Sequence, residues 1–169
     1  GVTSVPGEGS RFRFTVRLPE ADPLDMALPA VPGGYRALVV DDHPRHRGIV
    51  AAMLERTGLI ARAASSIDEA TALVARPPVG EHPYDVIVLD AEIEGATTWA
   101  PQRGTTPIAV LALTADAGRS EAPRQWSAIL PRPVREPLLA ATIATLVLAA
   151  LPYSVLLDIP WQTAPFVER

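Results

Sequence analysis

The chain contains no cysteine, which excludes disulfides and thiolate metal sites while fitting any redox compartment. Lysine is also missing. All 15 basic residues are arginine, so chemistry that wants a flexible primary amine has to use a guanidinium or do without. There is no excess of positive charge either: a formal net charge of -4 leaves no electrostatic footprint for nucleic acid. The amino terminus lacks the basic, then apolar, then small-residue order of a signal peptide, and Gly1 opens in mid-motif. The expectation is a cytoplasmic piece of a longer protein, compatible with a membrane-anchored parent. What is present is globular composition, 48% hydrophobic and 20% charged over 169 residues, room for one ordinary domain with appendages.

Four stretches follow one another. In residues 1–19, Phe12, Phe14, Val16 and Leu18 alternate with Arg11, Arg13, Thr15 and Arg17, which predicts a half-buried strand. Residues 20–34 are rich in Pro and Ala, end in Gly33-Gly34 and show no periodicity, the composition of a linker. Residues 35–151 alternate short apolar runs with helical patterns, and residues 152–169 form a tail.

Within the third stretch Ala37-Leu38-Val39-Val40 is apolar without interruption, as in a strand buried on both faces. Pro44 then suits a first helical position, Ile49, Val50, Met53 and Leu54 make one stripe, and Gly58 stops the helix. A weaker strand at 59–64 precedes Ser66 and Glu69, which have capping-box spacing and open a helix that ends at Pro77-Pro78. Val86-Ile87-Val88-Leu89 gives the strongest strand signal and ends at Asp90. Further strands are predicted at 108–113, ending at Thr114, and at 128–130, with a helix at 135–150; a helix between Asp90 and Ile108 has only residues 97–102 as a candidate. Strands alternating with helices predict an α/β, doubly wound, five-stranded parallel sheet of order 2-1-3-4-5, whose ligands gather at the carboxyl ends of the strands.

Those ends carry Asp41, Asp42, Asp90 and Thr114, with Arg132 after the last strand. In this strand order the first and third strands are neighbours, which brings the three aspartates together. Clustered carboxylates need a counter-charge, and a hard cation with oxygen ligands, Mg²⁺, supplies it. An aspartate beside Mg²⁺ can attack a phosphoryl group and form an acyl phosphate, while Thr114 hydrogen-bonds one phosphoryl oxygen and Arg132 pairs with another.

Leu38-Val39-Val40-Asp41-Asp42, Tyr84-Asp85-Val86-Ile87-Val88-Leu89-Asp90, Leu113-Thr114-Ala115 and Leu130-Pro131-Arg132-Pro133-Val134 together resemble the receiver domain of two-component response regulators. The resemblance implies a flavodoxin-like (CheY-like) fold, phosphorylation of Asp90 from phosphohistidine, and Mg²⁺ bound by Asp41, Asp42, Asp90 and the backbone carbonyl of Glu92. It also implies a phosphoryl-binding switch at Thr114, Ala115 and Arg132, with Ile129 at the position of the switch aromatic. Gly7-Glu8-Gly9-Ser10-Arg11-Phe12 resembles the last glycine-rich box of histidine-kinase ATP-binding domains, with Gly7 and Gly9 as the ATP-binding remnant. Together they imply the carboxyl end of a hybrid histidine kinase, with ATP a cofactor only of the intact parent and a phosphohistidine-bearing kinase or phosphotransfer domain as partner. The phosphoacceptor histidine and the other ATP-binding motifs are missing from this stretch.

Arg132 stands where the family has lysine, and Ala91-Glu92-Ile93-Glu94-Gly95-Ala96 lacks the family's Met-Pro and Asp-Gly signals. A degenerate pseudo-receiver that regulates its kinase by docking alone is therefore the second reading. A nucleotide- or flavin-binding enzyme is third, because no glycine-rich loop follows the first strand. His43 and His46 sit three apart beside two aspartates, a spacing that suggests zinc, although histidine on the first turn of an exposed helix is commoner. No charged residue occurs over residues 137–157, long enough to span a bilayer, but Pro152 breaks the run. Leu139, Ile143, Leu146 and Val147 make a core stripe whose opposite face is also apolar, so the expectation is no membrane contact and a cover made by the tail or by a second copy.

Overall fold

The computed structural model describes residues 1–7, 9–17, 31, 33–115 and 123–149. Strands β1 (Val2–Val5) and β2 (Gly9–Phe12) pair antiparallel as a hairpin. The main sheet contains β3 (Arg36–Val40), β4 (Ile60–Ala64), β5 (Val86–Asp90), β8 (Ala109–Thr114) and β9 (Ala128–Pro131). Between β5 and β8 lies a small antiparallel pair, β6 (Gln102–Arg103) and β7 (Thr106–Pro107). The helices are α1 (Pro44–Arg56), α2 (Ile67–Ala75) and α3 (Glu136–Ala149).

The five long-sheet strands are all parallel, in the order β4-β3-β5-β8-β9. Counted among themselves this is 2-1-3-4-5, the predicted order. Side chains alternate across the sheet even inside the uninterrupted apolar runs. Val39, Val88 and Leu111 pack with Val50 and Leu54 of α1 and Leu139 and Ile143 of α3. Leu38, Ile87 and Leu89 pack on the other side with Ala70 of α2 and, at its margin, Trp99 and Trp126. Both faces are thus covered, which is why β3 and β5 are buried along their whole length. β4, an edge strand, is buried only at Ala64, in keeping with its weaker pattern.

The helix ends follow local chemistry. Pro44 opens α1 and the His43 side chain accepts from the His46 N–H. Past the helix Gly58 takes φ +95°, and a Cβ there would lie 3.3 Å from the Val31 carbonyl oxygen, so conformation and space both call for glycine. The Ser66 hydroxyl accepts from the Glu69 N–H at 3.1 Å. Its reciprocal arm is displaced by one residue, since the Glu69 carboxylate takes the N–H and hydroxyl of Ser65.

Two expectations are corrected. Residues 97–102 are not helical: Gly95 at positive φ and a turn through Gly104 lead the chain into the β6–β7 hairpin. Pro101 and Pro107 flank it, and Thr97 and Thr98 are β-branched, so helix has little local support. The amino-terminal strand ends at Phe12, and it is not half-buried, because Phe12, Phe14 and Val16 are all exposed; Leu18 lies outside the described residues. Nothing among the described residues packs over that alternating face. Val31, within the stretch read as linker, is buried in the core and donates its N–H to the Thr57 carbonyl. The predicted tail, residues 152–169, lies outside the described residues, as does most of the stretch between β8 and β9.

Candidate functional site

The parallel register brings the ends of β3, β5, β8 and β9 to one edge of the sheet. There Asp41, Asp42 and Asp90 each place a carboxylate oxygen within 4.8 Å of the others. Asp41 and Asp90 are buried and Asp42 is exposed. Asp41 Oδ1 accepts the His43 N–H at 2.8 Å, and Asp90 Oδ1 accepts the Glu92 N–H at 2.9 Å. These bonds fix both carboxylates where β3 and β5 end. Burial pushes the Asp41 carboxyl above the ordinary carboxylate range, and the negative charge of Asp90 adds to the effect.

Arg132 supplies positive charge. Its Nη2 lies 2.5 Å from Asp90 Oδ1 and 3.7 Å from Asp41 Oδ2, and Nη1 lies 2.8 Å from Glu92 Oε2. Burial works against the guanidinium's charge, yet Asp90, Glu92 and Asp41 carry its pKa upward. Nη2 is an ion-pair partner without an aligned hydrogen-bond acceptor. Four acids around one arginine leave a net negative site, and three of them present oxygen ligands at a separation that a hard divalent cation closes. The donor set therefore fits Mg²⁺. Among the described residues no histidine joins this group: His43 and His46 stack on each other at 4.2 Å, which leaves the zinc alternative without a ligand cluster.

Thr114 ends β8 beside the acids, and Ala115 follows it. The Thr114 hydroxyl donates to Glu92 Oε1 at 3.1 Å and the Ala115 N–H donates to the same oxygen at 2.9 Å. Every member of the expected phosphoryl-binding set thus lies in one cluster. Ile129 in β9 is partly buried, and Gly7 in the β1–β2 turn and Gly9 at the start of β2 lie far along the chain, both at positive φ. What sequence reasoning missed is the Glu92 side chain, expected to contribute only a backbone carbonyl. Its signal was a carboxylate two residues beyond Asp90, facing the strand end that holds Thr114. Beside the cluster an apolar groove with Ile49, Met53 and Val134 opens next to Asp41 and Arg132.

Solved structures decide the architecture. The receiver domain of a sensor histidine kinase from Pseudomonas aeruginosa, described with magnesium in its active-site cleft, superposes with a TM-score of 0.56 at 23% identity, covering 68% of this chain and 98% of that one. A response regulator receiver protein from Burkholderia phymatum gives 0.54 at 25% identity, covering 70% and 98%. The chemotaxis response regulator CheY4 of Vibrio cholerae gives 0.51 at 22%, covering 66% and 98%. The fold is that of a receiver domain. No protein-family model matches the chain, and no curated protein matches it in sequence. The receiver fold thus accounts for the five-stranded sheet and its helices, while β1 and β2 form a two-stranded sheet of their own. Among the described residues no helix is long and apolar enough to cross a membrane.

Proposed function

We propose that the receiver fold here accepts a phosphoryl group on Asp90 from a phosphohistidine donor, as part of a two-component phosphorelay. The observation that carries this is the convergence of Asp41, Asp42 and Asp90 opposite Arg132, Thr114 and Ala115. In the transfer an Asp90 carboxylate oxygen attacks phosphorus, the P–N bond breaks, and its electron pair returns to the imidazole, leaving an acyl phosphate. Asp41, Asp42, Asp90 and the Glu92 carbonyl would hold Mg²⁺, which when bound neutralises charge on the transferring oxygens. Arg132 and Thr114 orient those oxygens, and the groove at Ile49, Met53 and Val134 gives the donor domain an apolar seat beside the acids.

The wider context belongs to the same proposal. The glycine turn at Gly7 and Gly9 supports a reading of residues 1–19 as the end of a kinase ATP-binding domain, so that the parent is a cytoplasmic or membrane-anchored hybrid histidine kinase. Leu138 on α3 is exposed, which supports a cover over that helix from the tail or a second copy. A pseudo-receiver is the second reading, favoured by one observation: the Glu92 carboxylate already sits on the donors a phosphoryl group would use.

The test is intact mass after incubation with Mg²⁺ and a small-molecule phosphodonor. The expected outcome is a base-labile phosphoryl adduct on the native chain that is lost in Asp90→Asn. A native chain that stays unmodified under these conditions gives the pseudo-receiver reading the better claim.

A further inference from the structure

Three donors converge beside Asp90: the Thr114 hydroxyl, the Ala115 N–H and the Arg132 guanidinium. All three are taken by one side chain. Glu92 Oε1 receives Thr114 at 3.1 Å and Ala115 at 2.9 Å, and Oε2 receives Arg132 at 2.8 Å. The backbone beneath is anchored on both sides, by the Glu92 N–H on Asp90 Oδ1 and by Ile93, which is buried in the core. Glu92 itself keeps 48% of its side chain exposed, so among the described residues its path toward solvent is open.

A surface arginine–glutamate pair would ordinarily carry little meaning. This one also engages a backbone N–H and a hydroxyl, the mixed set of neutral and charged donors that recognises an oxyanion. Two anions cannot share those donors, because like charges in contact repel and each oxygen needs the same N–H and O–H groups.

We propose that the Glu92 carboxylate is an internal occupant of the phosphoryl-oxygen cradle, and that any oxyanion entering the site must displace it. The consequence for Asp90 rests on the phosphoacceptor reading, whereas the competition with oxyanions does not. Glu92 therefore slows formation of the acyl phosphate by holding closed the groups that would orient the transferring oxygens. It also holds Thr114 and Arg132 toward Asp90 before any phosphoryl group arrives.

Two measurements test this on the full chain in Mg²⁺ buffer. In the first, inorganic phosphate is titrated while the Ala115 amide resonance is followed by ¹H–¹⁵N NMR. Glu92→Ala is expected to lower the half-saturating phosphate concentration at least tenfold, about 1.4 kcal/mol, and Glu92→Gln, which keeps the shape, shifts it in the same direction. Glu94→Ala, the neighbouring exposed acid, leaves it unchanged. In the second, the initial rate of adduct formation with a small phosphodonor rises about tenfold in Glu92→Ala.

Unchanged phosphate half-saturation in Glu92→Ala overturns the proposal, and so does an equal shift in Glu94→Ala, which would reduce the effect to net charge. If neither the native chain nor Glu92→Ala forms an adduct, the phosphoacceptor reading fails and the phosphate titration alone decides the occupancy of the cradle.

Discussion

Arg132 touches three carboxylates from two different loops, those of Asp41, Asp90 and Glu92. Removing it leaves two buried acids facing each other without compensation. Arg132→Met is therefore expected to destabilise the metal-free protein by about 1–3 kcal/mol at neutral pH, and added Mg²⁺ to restore more stability to this variant than to the native chain. Thermal melts with and without Mg²⁺ check both points; a variant whose melting ignores Mg²⁺ would separate the acids from any shared cation. At this scale the acidic group and Arg132 were legible in the sequence, because strand-end positions follow from strand order. Glu92 was only half legible. A residue two beyond a strand end is placed by its backbone, but its side-chain direction depends on χ angles that Thr114 and Arg132, far along the chain, select by hydrogen bonding.

Elements were legible where a single local signal dominated. The apolar runs of β3 and β5 announced strands, Pro44 and Gly58 bracketed α1, and Ser66 marked the start of α2. Ser66→Ala should cost about 1 kcal/mol and lower the melting temperature without altering the site, since the hydroxyl's partner is the Glu69 N–H rather than any residue of the acidic cluster. The segment between Asp90 and β8 was misread for a physical reason. Residues 97–102 were the candidate helix, yet Gly95, Pro101 and Gly104 impose turns around and within them, and Ile93, Ala96 and Trp99 pack against the core from that loop. Tertiary contacts then hold those same side chains: Trp99 donates its Nε1–H to the Thr71 hydroxyl at 2.9 Å, tying the loop to α2. The exposed face of β2 failed in the opposite way, since alternation shows that one side is apolar but not that anything covers it.

For the molecule as a whole, one sheet separates two apolar layers that share its backbone. Leu111 lies in the layer under α1 and α3, whereas Trp99 and Trp126 border the other. Leu111→Ala should cost about 2–5 kcal/mol, and the loss should appear in full in tryptophan fluorescence melts of a Trp161→Phe background, although the change is made on the far side of the sheet. Two separate transitions would show that the layers unfold independently.

The two layers also differ in when they can exist. The buried residues of the Trp99 layer all lie between Leu38 and Val110, so a ribosome has supplied them before it reaches Leu139. The opposite layer waits for Leu139, Ile143 and Val147. At its surface an exposed Arg56–Glu136 pair joins α1 to α3 across 80 positions of chain. Arg132 belongs to this late segment. During synthesis the three aspartates are therefore made before their internal cation, and Arg132 completes the charge balance of a site whose aspartates precede it by more than 40 residues.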